Sequence, residues 1–168
     1  GSLAVGAVVI VLMTLFVIGS APRNQAVAED ETVRVEEYMT LPDEDAYPAA
    51  LAISPDGTLY TGSYQSGTIW KISADRVISE VAGSRDAIGS VSGLEVAPDG
   101  SLLVLDRIVP LDAQGAIIWR ISEDELSQVV KIPHDESIGV VLPDDITVDS
   151  EGRIYITDRK PARIWRYS

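Results

Sequence analysis

One unit recurs three times along this chain: an apolar run, a tight turn closed by glycine, a β-rich run, a loop, and a strand carrying tryptophan. The copies are ALAISPDGTLYTGSYQSGTIWKIS (Ala50–Ser73), GLEVAPDGSLLVLDRIVPLDAQGAIIWRIS (Gly93–Ser122) and PDDITVDSEGRIYITDRKPARIWRYS (Pro143–Ser168). Aligning Gly57, Gly100 and Gly152 gives spacings of 43 and 52 residues, and aligning Trp70, Trp119 and Trp165 gives 49 and 46. A period in the forties with several short strands per unit is the pattern of propeller blades. Ser54-Pro55-Asp56-Gly57 and Ala97-Pro98-Asp99-Gly100 read as type I turns, with proline at the second position and glycine at the left-handed one. The expected architecture is all-β: about three four-stranded blades over residues 47–168.

The alternation within each unit points to packing. Trp70 shares a strand face with Ile72, Trp119 with Ile117 and Ile121, and Trp165 with Tyr167, so the tryptophans are expected between blades rather than in a ligand cage. Ala50-Leu51-Ala52-Ile53 is small and apolar on both faces, as suits an innermost strand near a propeller axis. Asp106-Arg107 and Asp158-Arg159 sit at matching places after the second strand of their units and read as local structural pairs.

Ahead of the repeats, residues 1–22 (GSLAVGAVVIVLMTLFVIGSAP) carry no charge. As a helix they would extend about 33 Å, enough for a hydrocarbon core of about 30 Å. Ala26-Val27-Ala28 resembles a signal cleavage site. Because the chain retains the run, an uncleaved transmembrane anchor over residues 1–20 is the expectation, with Gly6, Ala4 and Ala7 offering a small-residue surface to other membrane helices. Acidic Glu29-Asp30-Glu31 after the span favours that side facing outward, so a single-pass protein with an extracytoplasmic (in a Gram-negative cell, periplasmic) domain is expected. Residues 21–46 read as a linker, in which the alternation around Val33 and Val35 suits a short blade-closing strand or a simple tether.

Charge and composition narrow the functions. The net charge is −13, which excludes non-specific nucleic-acid binding through a basic surface. Residues 151–168 run the other way, with five basic residues against two acidic, so the first 150 residues carry −16. There is no Cys, hence no disulfide framework, and His134 is the only His, so neither a His-based metal cluster nor a Ser-His-Asp triad can be assembled from several imidazoles. Gly83, Gly89, Gly93 and Gly100 lack the following helix that a phosphate-cradling loop needs.

At Pro143–Tyr167, the apolar-Asp-x-x-Gly-x-Φ-Tyr-Φ-x-Asp core and closing Arg-Ile resemble an NHL repeat. Tyr47–Ile72 is similar to the opening blade of the strictosidine-synthase-like and gluconolactonase-like propellers. The resemblance implies a six-bladed ring, so a chain continuing past Ser168 is expected, or else a second chain supplying the other blades. In many lactonases of this kind it also implies a divalent metal, Ca or Zn, on the axis. Carried over by position, Asp144 matches a metal-ligating Asp, with Asp145 in place of the motif's Gly; Ala49 stands where Glu is usual, and Val91-Ser92-Gly93-Leu94 brings no carboxylate. Glu95, Asp106 and Asp144 are the available carboxylates, and one match in three falls short of a six-oxygen site. No catalytic residue and no cofactor is therefore expected. Two functions stay open: an accessory binding or assembly subunit docked on other membrane protein subunits, with a photosynthetic or respiratory complex as the first setting, and a metal-dependent lactonase-like hydrolase.

Overall fold

The computed structural model describes residues 34–44, 46–107, 115–133, 137, 141–160 and 162–168. The expected membrane anchor, most of the linker and His134 lie outside them. Among the described residues no helix is long and apolar enough to cross a membrane.

Residues 39–168 fold as three antiparallel sheets. The first runs β1 (Pro48–Ile53), β2 (Leu59–Ser63), β3 (Ile69–Ile72) and β4 (Ile78–Glu80) in simple order. A single helical turn, α1 (Ser84–Ala87), leads into the second sheet of β5 (Val91–Val96), β6 (Leu102–Arg107), β7 (Gly115–Ser122) and β8 (Glu125–Pro133). The third has β9 (Pro143–Val148), β10 (Ile154–Asp158) and β11 (Arg163–Tyr167). Four strands were expected in each unit; the third sheet has three among the described residues. The short strand expected around Val33 and Val35 is also absent from the described part, since residues 34–41 hold no regular structure and Val35 is fully exposed.

The hairpin turns follow their sequences. Gly57, Gly100 and Gly152 have φ of 86°, 84° and 79°, the left-handed region that glycine enters without a Cβ penalty. Each donates its N–H to the residue three back: Ser54 at 2.9 Å, Ala97 at 2.8 Å and Asp149 at 3.0 Å. The third turn has no proline and uses a carboxylate hub instead. Asp149 accepts the N–H groups of Glu151 and Arg153, the Arg153 Nε at 2.7 Å and the Tyr155 hydroxyl at 3.1 Å.

The sheets stack face to face through their apolar positions, with β1 against β5 and β5 against β9. One core lies between sheets one and two, where Ile69, Leu94, Leu102, Val104 and Ile121 meet the partly buried Ala50, Ala52 and Trp119. The other lies between sheets two and three, where Leu103, Leu105 and Ile118 meet Ile146, Ile154, Ile156 and Trp165. The second and third tryptophans thus pack between blades, as expected. The second strand of sheet one meets the inner strand of sheet two so closely that Gly62 has no room for a side chain: a Cβ there would lie 2.5 Å from Val91 Cγ1. The β2–β3 loop is pinned in the same way, because a Cβ on Gly67 (φ 70°) would meet the Ile88 carbonyl oxygen at 1.8 Å.

Two outcomes follow. Gly67→Ala is expected to lose about 3 kcal/mol, combining positive φ with a backbone clash, read as a lower urea midpoint at unchanged m-value. The second concerns acid. Partial desolvation pushes the Asp149 carboxyl up, but its bonds from the Arg153 side chain, the backbone of Arg153 and Glu151, and Tyr155 outweigh this and hold it at about 2, against an ordinary 3.8. A depressed folded pKa stabilises above the unfolded value and is lost as pH falls through the folded one. Asp149→Asn should therefore lower the urea midpoint at pH 7, and the gap from wild type should close between about pH 4 and pH 2.

Candidate functional site

The start of each inner strand is irregular in the same way. Pairing jumps from Pro48 to Ala50, from Val91 to Gly93, and, opposite Asp158 and Thr157, from Pro143 to Asp145. The extra residue in each case, Ala49, Ser92 or Asp144, sits in a bulge, a device that re-aims a side chain out of the strand's alternation. All three line one cavity of about 580 Å³ at this end of the inner strands, together with Tyr64, Asp145 and Arg159.

Behind the cavity wall lies a repeated stitch. The residue at or just past the end of each second strand, Tyr64, Arg107 or Arg159, donates its N–H to the residue before the inner strand: Tyr47 at 3.0 Å, Ser90 at 2.8 Å and Leu142 at 3.1 Å. In the second and third units a buried aspartate reinforces this. Asp106 accepts the N–H groups of Gly89 and Ser90 through one oxygen and the Trp119 indole N–H at 3.0 Å through the other. Asp158 accepts the Leu142 and Lys160 N–H groups through one oxygen, and through the other Arg163 Nε at 2.9 Å and the Trp165 indole at 3.1 Å. Burial raises the Asp158 carboxyl, and the donors from Leu142, Arg163, Trp165 and Lys160 outweigh it, leaving it below the usual carboxylate range. Arg163 also stacks on the Trp165 ring at 4.3 Å. The Asp-Arg pairs of the sequence are thus framework, with the aspartate inward and the arginine toward the cavity mouth.

Those arginines do different things. Arg159 Nε pairs with Asp144 Oδ1 at 3.2 Å. Arg107 lies over the Tyr64 ring, 5.5 Å from its centroid, and donates Nη1 to the Tyr64 hydroxyl at 2.5 Å. Glu95, on the middle inner strand, is raised by burial and then by the negative charge of Asp145 on the neighbouring strand. The structure therefore brings Asp144 to the cavity, sets Glu95 beside Asp145, and keeps Asp106 in the interior. Sequence reasoning missed Ser92, Tyr64, Asp145 and Arg159 as cavity residues. The signal for two of them was available, since Tyr64, Arg107 and Arg159 occupy one repeat position.

The residues do not fit a Ca or Zn site. Asp144 is already neutralised by Arg159, and one oxygen of Asp145 accepts the Ile146 N–H at 2.9 Å. A hard cation wants six or more oxygens. Among the described residues no three His, Cys, Asp or Glu side chains are grouped to hold a metal.

Family comparison settles what these sheets are. Residues 141–167 match the NHL repeat, and residues 36–72 match the N-terminal part of strictosidine synthase-like proteins. The NHL match covers the third sheet alone, and all three sheets share the simple antiparallel order of propeller blades. Solved structures agree on the fold. A virginiamycin B lyase from Staphylococcus aureus, crystallised with quinupristin, is 23% identical with a TM-score of 0.61, over 76% of this chain and 40% of that one. A putative 6-phosphogluconolactonase from Bacteroides uniformis is 19% identical with a TM-score of 0.53, over 75% of this chain and 37% of that one. A putative oxidoreductase (glucose dehydrogenase) from Thermus thermophilus is 16% identical with a TM-score of 0.52, over 72% and 43%. The chain spans about two fifths of the length of these propellers, and the likeness at these identities is one of fold. No curated protein matches the sequence.

Two carboxylates of the third unit, one buried and one at the cavity, should separate on mutation. Asp158→Ala leaves buried donors from Leu142, Arg163 and Trp165 without an acceptor and is expected to cost about 3 kcal/mol. Asp144→Ala breaks a half-exposed pair and should cost under about 1 kcal/mol. Urea titration followed by tryptophan fluorescence measures both, and Asp158→Ala should also shift the Trp165 emission.

Proposed function

We propose that this NHL-type propeller is a membrane-anchored, extracytoplasmic accessory subunit that binds and helps assemble a larger membrane protein complex, photosynthetic or respiratory. The observation that carries this reading is the Asp144–Arg159 pair at the mouth of the axial cavity. The carboxylate best placed for a metal is committed to a guanidinium, and the bulge positions of the other two blades present Ala49 and Ser92, a methyl and a hydroxyl. Such a cavity offers shape and mixed polarity for contact, the properties of a binding face. The uncharged run at residues 1–22 supplies the anchor in this reading, and the acidic Glu29-Asp30-Glu31 sets its orientation.

A metal-dependent lactonase is the second reading. It is favoured by Asp144 at a bulge facing the cavity and by the likeness to a putative 6-phosphogluconolactonase. The two separate cleanly. Stoichiometric co-purification with membrane subunits, lost when residues 1–22 are deleted, is the expected outcome. Metal-dependent lactone hydrolysis that disappears in Asp144→Ala would instead establish the hydrolase. Modification of a cysteine placed near Ser101, at the exposed Pro98, from the cytoplasmic side alone would overturn the topology.

A further inference from the structure

The opposite end of the inner strands carries a second surface. There the β1–β2, β5–β6 and β9–β10 turns surround a groove of about 300 Å³. Its floor is one repeat position, Ile53, Val96 and Val148, the last residue of each inner strand, and Pro55 and Pro98 flank it. Ile53 is 63% exposed. Val96 and Val148 are half-buried, each packed on one side against an interblade core, so the groove is an apolar floor with Ile53 standing out of it.

The rim is acidic, and its acids are held ionised. Asp56 is lowered by its bonds to Ser54 and Thr58, Asp99 by its bonds to Ser101, and Asp149 by the donors described above despite some desolvation. Arg120 pairs with Asp99 at 2.6 Å, and Arg153 with both Asp149 and Glu151. Four rim carboxylates thus face two guanidiniums, and the neighbouring β7–β8 turn adds Glu123 and Asp124, the latter paired with Lys71 at 3.5 Å. The cavity end carries both signs, Asp144 and Asp145 against Arg159, with Arg107 held on Tyr64 beside it. Charge is therefore divided along the blade axis, with the excess acid around the groove.

We propose that this turn-side groove is a docking surface for a basic, apolar-tipped segment of a partner protein, its β-branched or leucine side chains on Ile53, Val96 and Val148 and its flanking lysines or arginines against the rim. Charge complementarity selects this occupant, because four rim carboxylates face two guanidiniums; a second copy has one basic stretch, residues 151–168, to offer, with −16 on the rest of its chain. The inference deepens the assembly reading by naming its contact face, and rests on that reading only for the partner's being a protein.

The test uses the full chain in detergent and two fluorescein-labelled heptapeptides, one alternating lysine with isoleucine and one alternating lysine with serine. Anisotropy should show binding of the lysine–isoleucine peptide, weakening with salt, with the lysine–serine peptide at least about tenfold weaker. Ile53→Ser should cost about tenfold, while Ile164→Ser, an equally exposed isoleucine on β11, should leave affinity unchanged. Equal binding of the two peptides, or wild-type affinity in Ile53→Ser, would overturn the proposal. So would concentration-dependent self-association abolished by Ile53→Ser, which would make a second copy the occupant. If co-purification with membrane subunits persists undiminished in Ile53→Ser, this surface is not the docking face, and the assembly reading stands without it.

Discussion

The structure depends on a carboxylate buried at the end of each of two second strands. Asp106 and Asp158 are nearly inaccessible, and a polar group in such a place is tolerable only when its hydrogen-bonding capacity is filled. Theirs is filled by groups from two directions: the backbone entering the inner strand, and the indole of the third strand. One side chain therefore fixes where the inner strand begins relative to the rest of its blade. The bulge at Ser92 or Asp144 lies one or two residues beyond that point, so the position of the cavity-lining side chain is set by an interaction that never touches the cavity. Packing adds the rest, since the indole so held packs against the core between adjacent sheets.

The first blade shows what happens when this carboxylate is missing. Ser63 occupies the position of Asp106 and Asp158, and its hydroxyl is too short to span the same gap; it turns instead to the N–H groups of Gln65 and Ser66. The entry to β1 is held by Tyr64 N–H to the Tyr47 carbonyl with no such carboxylate behind it, and Tyr47 sits at φ 41°, an unusual region for a bulky aromatic. The second blade compensates from outside: the Ser90 hydroxyl donates to the Tyr64 carbonyl at 2.6 Å. The junction between blades thus replaces a contact that the other two units make within themselves.

Much of this was legible in the sequence, for physical reasons. Glycine at a left-handed turn position is nearly obligatory, so Gly57, Gly100 and Gly152 mark the hairpins without ambiguity. Tryptophan in the third strand marks the interblade core, because a large apolar ring has few other places to go. Strand number in the third unit was not legible, and neither was the state of residues 34–41, where the alternation around Val35 suggested a strand that tertiary pairing does not provide. The cavity was half legible. Asp144 could be placed by its resemblance to a metal-binding motif, but its partner could not, because Arg159 is fifteen residues away in sequence and meets it only through the β9–β10 pairing. Bulges leave little mark on composition, so Ser92 and Ala49 gave no signal of their own.

The two ends of the inner strands differ because of how the strands crowd. Gly62 and Gly93 let neighbouring chains approach until a Cβ would lie 2.5 Å from Val91 or 3.0 Å from Ile146, which closes the middle of the blade stack. Open space is then confined to the two mouths, where the strands diverge into loops. At one mouth the bulges and the residues after the second strands supply polar groups of both signs, and a pair such as Asp144–Arg159 can form. At the other, the turns consume their carboxylates as hydrogen-bond acceptors for their own backbone, as Asp56 does for Thr58 and Asp99 for Ser101. Those acids must remain ionised to hold the turn, so they persist as fixed negative charge around residues left apolar by the strand alternation. Turn stability and surface electrostatics are here the same constraint. A charge-neutralising substitution in any of these turns would alter both at once, which ties the acidity of this face to the folding of the blades themselves.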